Sequence, residues 1–339
     1  AVSRMETVLD GGSALYGSNA FLAVVNLVTR EDANELYLSA GEPGHREGRV
    51  NLAWEGEGAR GSLYLQGFQD DGQSFPDPAA GAGDTRDPRS GRTVHGTLVL
   101  GDTRLELRHG ASRVEDFYLF QVTPSYPGNE AWSEDTRLTL RHTLVDTPDR
   151  RLEATLGGRH ISGESVARPF TAAEMARFGL PQGPFLGGTD VQLSEYDAAL
   201  VGEAQVAPGH RLYTGLAYRD THLETLSNRN NYETTDFLGR MARGPAVPVR
   251  FYGEVTSTAP FGPEGEHRRV RSAYVQDRWT VSDALEVTLG ARWDDYSDFG
   301  SSLNPRAAAV FTRSPRDTWK VMYGEAFRAP TVTELGATN

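Results

Sequence analysis

The amino-acid sequence predicts an all-β protein, a transmembrane antiparallel β-barrel, on three observations. Apolar and polar residues alternate with a period of two in many segments, which is the pattern of strands with one apolar and one polar face. Short and long connections follow one another along the chain, as tight turns and extended loops do in outer-membrane barrels. The longest uninterrupted apolar run is Ala20–Val25, far short of the roughly 20 residues that a membrane-spanning helix needs.

Alternation is clearest in Ala284–Trp293, where apolar side chains occupy the odd-numbered positions from 285 and polar or small ones occupy the even-numbered positions. This segment predicts a strand that separates an apolar from a polar environment. Comparable segments, some of them weaker, are Val50–Glu55, Ser62–Gln69, Arg104–His109, Arg137–Leu144, Arg151–Arg159, Arg211–Arg219, Val270–Trp279, Leu303–Phe311 and Thr318–Gly324. Counted from Glu35, the chain offers about thirteen strands.

A soluble β-sandwich would show the same alternation, so the lengths of the connections carry the distinction. The short connections, rich in Gly, Pro, Asp and Ser, are Gly101–Asp102, Asp146–Arg150, Ala207–His210, Ser282–Asp283 and Ser314–Asp317. The long ones are Asp70–Arg92, Ser112–Asp135, Ile161–Thr189 and Asp220–His267. Structureless links of that length are uncommon in compact soluble domains, so this pattern favours the barrel.

Four tryptophans lie near the ends of predicted strands, where a membrane-interface girdle would place them. They are Trp54, Trp279, Trp293 and Trp319. Within the long connection after Arg159, Thr171 and Glu174 form a capping-box pattern. Gly179 and Pro181 would end a helix that begins there, so we predict a short helix over Ala172–Phe178.

Composition excludes several classes of function. The 339 residues carry a formal net charge of -12, which argues against nucleic-acid binding as the main activity. The chain has no cysteine, its eight histidines include no pair at i and i+4, and no G-x-S-x-G motif occurs. Hydrolase and zinc-enzyme interpretations therefore have no support in the sequence, and we expect no cofactor and no bound metal. Ala1–Asp10 lacks the basic head and apolar core of a signal peptide, so we expect a truncated start.

Two segments carry a resemblance to a known family. Ser13–Arg30 reads SALYGSNAFLAVVNLVTR and Tyr323–Leu335 reads YGEAFRAPTVTEL. They resemble TonB-dependent outer-membrane receptors, the first looking like the end of the plug domain and the second like the barrel strand that ends in A-F-R-A-P. Val270–Leu335 as a whole is similar to the family's run of Y-x-Q-D-x-W, L-G-x-R-x-D and N/S-P-R. The chain departs from the family at Asp10–Gly12, where Arg-Gly-Pro is usual, and at Ala23, where Gly is usual.

The resemblance implies that the chain is a fragment. Residues 1–32 would be the C-terminal end of a plug domain, and residues 33–339 the N-terminal portion of the β-barrel. The barrel would then be partial, with about thirteen of the family's 22 strands.

The resemblance also implies a function in the Gram-negative outer membrane, among lipid and lipopolysaccharide. The inner-membrane TonB complex would energise uptake of a scarce nutrient through a segment absent here, and ferric siderophores are the commonest cargo. Cobalamin, haem and glycans stay open as cargo. Two alternatives from other classes are a passive porin-like channel and a soluble β-rich binding module.

The long connections carry arginines and aromatic residues that suit an anionic aromatic chelate by charge and stacking. The candidate ligand-binding residues are Arg86, Arg89, Tyr118, Tyr126, Phe185, Arg229, Tyr232, Arg240 and Tyr252. Loops of this length equally carry such residues to meet lipopolysaccharide and solvent. A second set lies on predicted strands, where polar side chains require a solvated or ion-paired lumen. This predicted lumenal network, which would hold the plug, comprises Gln276, Asp277, Arg292, Arg306 and Arg328.

Overall fold

The computed structural model describes residues 2–9, 23–73, 86–116, 128–260 and 265–331. Within them lie sixteen strands and two short helices. The strands are β1 (Val2–Leu9), β2 (Ala23–Thr29), β3 (Glu35–Gly41), β4 (His45–Gly56), β5 (Ala59–Asp70), β6 (Arg89–Leu100), β7 (Thr103–Glu115), β8 (Glu130–Thr147), β9 (Arg150–Phe170), β10 (Phe185–Ala207), β11 (His210–Tyr232), β12 (Phe251–Pro260), β13 (Glu266–Ser282), β14 (Leu285–Tyr296), β15 (Gly300–Ser314) and β16 (Asp317–Gly324). The helices are α1 (Ala172–Arg177), between β9 and β10, and α2 (Thr234–Arg243), between β11 and β12. Neither helix is long and apolar enough to cross a membrane.

Strands β3 to β16 form one antiparallel sheet in which successive strands pair. The exception is β12, which pairs only with β11, so that β11 also pairs directly with β13. The described residues thus contribute fourteen strands, and the predicted all-β antiparallel fold is confirmed. The strand beyond the predicted number is β12, which lies inside the segment predicted to be the long connection Asp220–His267. β1 and β2 pair with each other in a separate two-stranded sheet.

The register gives the large sheet two distinct faces. Gln276 of β13 lies opposite Gly290 of β14, which lies opposite Arg306 of β15, while Asp277 lies opposite Leu289 in the next row. Neighbouring residues on a strand point to opposite sides of a sheet. We call the side of Gln276 and Arg306 the polar face and the side of Leu289 the apolar face.

The apolar face is lined by leucines that nothing in the described chain covers. Five of them, on five different strands, have exposed fractions between 49% and 70%: Leu36, Leu138, Leu156, Leu216 and Leu289. A surface of this kind is unfavourable in water and is expected where strands contact lipid. Trp54, Trp279, Trp293 and Trp319 lie on the same face near strand ends, at the positions predicted for an interface girdle.

Tight turns lie at one end of the sheet, which we call the turn end. All five predicted short connections are turns between paired strands. Gly101 and Gly209 have φ of 54° and 78° in two of these turns, a conformation that glycine adopts without steric cost. The longer connections all lie at the opposite end, the loop end, so the predicted asymmetry is confirmed.

The predicted long connections are shorter than the sequence indicated, because the strands continue into them. β9 extends to Phe170 and β10 begins at Phe185, so most of the predicted link Ile161–Thr189 is strand. The alternation that marks a strand in sequence needs one apolar face, and here both faces carry polar or small residues such as Ser162 and Gly163. Backbone pairing continues without that signal.

The predicted helix in this connection is confirmed as α1. Oγ1 of Thr171 accepts a hydrogen bond from the backbone N–H of Glu174 at 3.2 Å, and the Glu174 carboxylate accepts from the backbone N–H of Thr171 at 2.7 Å. This is the reciprocal capping box that the sequence predicted. Gly179 follows the helix with a φ of 75°, in the left-handed region that favours glycine.

Candidate functional site

The polar face carries a lattice of ion pairs across β8, β9 and β10. Nε and Nη2 of Arg159 donate to Oδ1 and Oδ2 of Asp135 at 2.9 and 2.6 Å. Arg137 reaches past β9 and donates from Nη2 to Oδ1 of Asp197 on β10 at 2.6 Å. Gly157 of β9 lies opposite Asp197, and a Cβ on it would come within 2.5 Å of the same oxygen. The glycine therefore leaves the space in which this cross-strand ion pair forms.

Arg292, predicted for the lumenal network, lies on the polar face in a compact group. Its Nε lies 3.0 and 2.9 Å from the two carboxylate oxygens of Asp294, and Oγ of Ser272 donates to Oδ1 of Asp294 at 2.6 Å. The Asp294 side chain is only 1% exposed. Sequence analysis missed both partners. The available signal was spacing, because residues two apart on a strand share a face.

Gln276 and Arg306 also lie on the polar face, in the row that runs through Gly290. Arg328 follows β16 outside the sheet, and its side chain is exposed. The structure therefore brings Gln276, Arg292 and Arg306 to one face and leaves Arg328 beyond it. Whether these residues contact a plug stays a prediction.

The assignment of Asp277 to the lumenal network is wrong. Asp277 follows Gln276 directly, so its side chain points to the apolar face. Its Oδ2 lies 2.7 Å from Nδ1 of His210, and the His210 ring stacks on Trp279 with centroids 5.1 Å apart. The carboxylate is thus part of an apolar-face group at the turn end, where a polar contact with the membrane interface is expected.

The predicted ligand-binding residues are dispersed over several segments of the loop end. Arg86 and Arg89 lie at the start of β6 with exposed side chains. Neither makes an ion pair with another residue in the described ranges. Tyr118 and Tyr126 lie outside the described residues.

Phe185 and Tyr232 belong to a buried group that we call the aromatic cluster. Its members are Phe170, Met175, Phe178, Leu180, Phe185, Tyr232, Phe237 and Val249. Phe185 and Tyr232 are 6% and 0% exposed, and their rings stack with centroids 5.8 Å apart. The Tyr232 hydroxyl donates to the carbonyl of Gly183 at 3.2 Å. This packing leaves neither side chain with surface for a ligand.

Arg240 of α2 is engaged by the backbone rather than open to solvent. Its Nε and Nη2 donate to the carbonyls of Val247 and Pro245, each at 2.7 Å. Its Nη1 donates to the carbonyls of Phe178 and Gly179 at 2.9 and 3.2 Å. Four backbone carbonyls accept hydrogen bonds from the guanidinium, so Arg240 connects the loop of α2 to the loop of α1.

Arg229 and Tyr252 also have partners within the chain. Arg229 forms an ion pair with Glu164 on the face continuous with the apolar face. The Tyr252 hydroxyl donates to Oε2 of Glu233 at 2.6 Å. This hydrogen bond raises the pKa of Tyr252 and lowers the pKa of Glu233. Tyr252 therefore stays a neutral hydrogen-bond donor at physiological pH.

No group of three or more metal-ligating side chains occurs among the residues that the structure describes. The site at the loop end is instead a set of hydrogen-bonding, cationic and aromatic groups above a polar, ion-paired face.

The family model described as TonB dependent receptor-like, beta-barrel matches residues 44–339. The chain belongs to this family. Among curated relatives, the iron-regulated outer membrane virulence protein of Vibrio cholerae is 22% identical over 361 residues, covering 99% of this chain and 45% of that protein. The probable TonB-dependent siderophore receptor PirA of Acinetobacter baumannii is 36% identical over 62 residues, covering 18% of this chain and 8% of that protein.

Solved structures of a ferric enterobactin receptor and of a ferric-catecholate import receptor share the fold of this chain. A mutant of the ferric enterobactin receptor PfeA of Pseudomonas aeruginosa aligns with a TM-score of 0.66 and 16% identity, over 98% of this chain and 49% of that one. The ferric-catecholate import receptor Fiu of Escherichia coli aligns with a TM-score of 0.63 and 12% identity, over 97% and 60%. The chain thus spans about half the length of the longer relatives it matches.

Proposed function

We propose that the chain is part of an outer-membrane receptor that takes up a ferric siderophore with energy from the TonB complex. The observation that carries the proposal is the division of one antiparallel sheet into an apolar face of exposed leucines and a polar face of ion pairs. This division is expected when one side of a barrel wall meets lipid and the other meets a hydrated lumen. Membership of the family supports the plugged, energised mode of transport.

A plug is supported by the segment between β2 and β3. Nη1 of Arg104, on the polar face of β7, donates to Oε2 of Glu31 at 3.0 Å, and Oδ1 of Asn34 accepts from the backbone N–H of Ala53 at 2.8 Å. The chain therefore passes from the separate β1–β2 sheet onto the polar face within a few residues. We place the end of the plug at residue 32 and the start of the barrel at residue 33.

An anionic chelate of iron as cargo is supported by two observations. Arg86 and Arg89 are exposed and have no ion-pair partner in the described chain. Solved relatives carry names that include ferric enterobactin and ferric catecholate. A guanidinium group binds anions by charge-assisted hydrogen bonds and stacks on planar rings, which suits a catecholate complex.

Growth under iron limitation tests this function. A strain without the gene should fail to use one or more ferric siderophores in a panel of catecholates and hydroxamates, and the restored gene should recover that use. Haem and cobalamin belong in the same panel, because recovery with either of them alone would assign a different cargo. Loss of growth in a strain without TonB is expected, whereas unchanged uptake there would instead show a passive channel.

A further inference from the structure

Two helices from different loops share one buried core at the loop end. Phe237 of α2 lies 5.2 Å from Phe170 and 5.6 Å from Phe178, measured between ring centroids, and both partners belong to the β9–β10 region. The rings meet at 65° and 89°, the edge-to-face geometry that aromatic pairs prefer. We call the segments 170–185 and 232–249, which contain α1, α2 and the aromatic cluster, the lid.

Arg240 joins the two halves of the lid through the backbone. The carbonyls of Phe178 and Gly179 lie directly after the end of α1 at Arg177. Nη1 of Arg240 on α2 supplies a donor to both, while Nε and Nη2 bind carbonyls that follow α2. A guanidinium can span these positions because its donors form a planar fork.

Two properties of Gly179 favour the hydrogen bond between its carbonyl and Arg240. Its φ of 75° disfavours any residue with a side chain, and a Cβ there would lie 3.3 Å from Nη1 of Arg240. The backbone therefore turns at the end of α1 in a way that leaves its carbonyl open to the arginine.

The register places the lid on the polar-face side of the sheet. Phe185 lies two residues before Gly187 on β10, in the same odd-numbered series as Thr189 and Asp197. Asp197 carries the ion pair with Arg137 on the polar face. Tyr232 lies two residues beyond Asn230, the partner of Gly187 on β11, and stacks on Phe185. The aromatic cluster thus covers the side of the extended strands that leads into the lumen.

We propose that the lid is one preorganised unit that restricts entry of solutes to the polar face, and that Arg240 is the positioning residue that keeps its two halves together. The inference deepens the proposed function, since it assigns control of access to a part of the same loop end. It does not depend on which cargo is carried.

Spin labels test the unity of the lid in the full-length receptor. The exposed residues Ala173 on α1 and Ala242 on α2 are replaced by cysteine and labelled. The distance distribution between the labels should be narrow in the otherwise unchanged receptor and broad after Arg240→Ala. Arg243→Ala is the matched control, because Arg243 lies on the same helix and makes no hydrogen bond or ion pair with the described chain. Arg240→Lys should give an intermediate width, since an ammonium group cannot span four carbonyls.

Chemical modification tests the control of access. Thr189 lies on the polar-face side beneath the lid, and Asp190 points to the opposite side at the same height. In intact cells, Arg240→Ala should raise the rate at which a bulky polar maleimide modifies Thr189→Cys about tenfold, and it should leave modification of Asp190→Cys unchanged. A broad distance distribution in the unchanged receptor, or equal widths and equal Thr189→Cys rates with and without Arg240, would overturn the proposal. Neither readout requires uptake, so failure of the siderophore assignment would be seen separately.

Discussion

On the polar face of the sheet, Arg137 stays 32% exposed in its ion pair with Asp197, and Asp135 stays 46% exposed in its ion pair with Arg159. In the lid, by contrast, Met175 and Tyr232 are fully buried. The wall, by which we mean the strands of the large sheet, is held by backbone hydrogen bonds between strands and by partly exposed ion pairs. The lid has a small apolar core under two helices. Exposed ion pairs contribute about 0–1 kcal/mol each, while burying an aromatic side chain contributes about 1.5–3 kcal/mol. We therefore expect the wall to tolerate the loss of most single charges and the lid to be strongly destabilised by the loss of a core ring.

The largest effect is expected in the lid. Phe237→Ala removes a ring that is 2% exposed and touches three other rings, and a substitution of this kind costs about 3–5 kcal/mol. Hydrogen exchange of the α2 amides should therefore accelerate strongly while exchange in the wall strands stays slow. Leu238→Ala is the control, because Leu238 is next to Phe237 in sequence and is 57% exposed. Equal exchange in the two variants would contradict the picture of a packed lid.

The second effect tests a group in the wall that is buried, as the core of the lid is. Asp294 is buried against Arg292 and Ser272, so Asp294→Ala leaves a guanidinium at a 14% exposed position without its carboxylate. We expect a loss of about 3 kcal/mol, measured as a lower temperature at which the detergent-solubilised barrel changes its electrophoretic mobility. Asp295→Ala, on the opposite face of the same strand, should change that temperature little. A similar loss of stability in both variants would show that the position of Asp294 on the polar face is not the cause of its effect.

The third effect concerns the space that Gly157 leaves beside the Asp197 carboxylate. Gly157→Ala places a Cβ within 2.5 Å of the Asp197 carboxylate and displaces it from Arg137. Overpacking of this kind costs about 1–3 kcal/mol. The same mobility assay measures it, with Gly158→Ala as the control, because the nearest atom to a Cβ there is 3.8 Å away on Tyr196. If the two alanine variants match, the glycine is not what admits the cross-strand pair.

Wall and lid also differ in how far the sequence predicted them. In the wall, alternation and turn residues such as Pro208 and Gly209 are local signals, and they predicted strands and turns correctly. The same alternation rule could have predicted that Asp277 points to the apolar face, because Asp277 follows Gln276 directly. In the lid, the local signals used were the capping box of Thr171 and Glu174 and the helix-ending Gly179 and Pro181, and they predicted α1 correctly.

The contacts that organise the lid are not local. Arg240 and the carbonyl of Phe178 are 62 positions apart in sequence, so no pattern within a window brings them together. Phe185 and Tyr232 were predicted as ligand contacts on residue type, and only the register shows that they face each other. β12 was missed because its sequence, FYGEVTSTAP, shows no regular alternation of apolar and polar residues.

The smallest effect is a pH dependence of the lid near Glu233. The Tyr252 hydroxyl holds the pKa of Glu233 below its ordinary value of 4.5, so this hydrogen bond stabilises the lid above that pH and is lost as the pH falls through the lowered value. The raised pKa of Tyr252 means that the same bond persists up to its ordinary value of 10.0 and is lost as the pH rises through the raised one. Hydrogen exchange of the first turn of α2, corrected for intrinsic rates, should show less protection at pH 3.5 than at pH 7. Tyr252→Phe should remove most of that difference, whereas Tyr218→Phe, on the apolar face of β11, should preserve it. An unchanged pH dependence in Tyr252→Phe would assign the acid sensitivity to the Thr235 contacts of Glu233 instead.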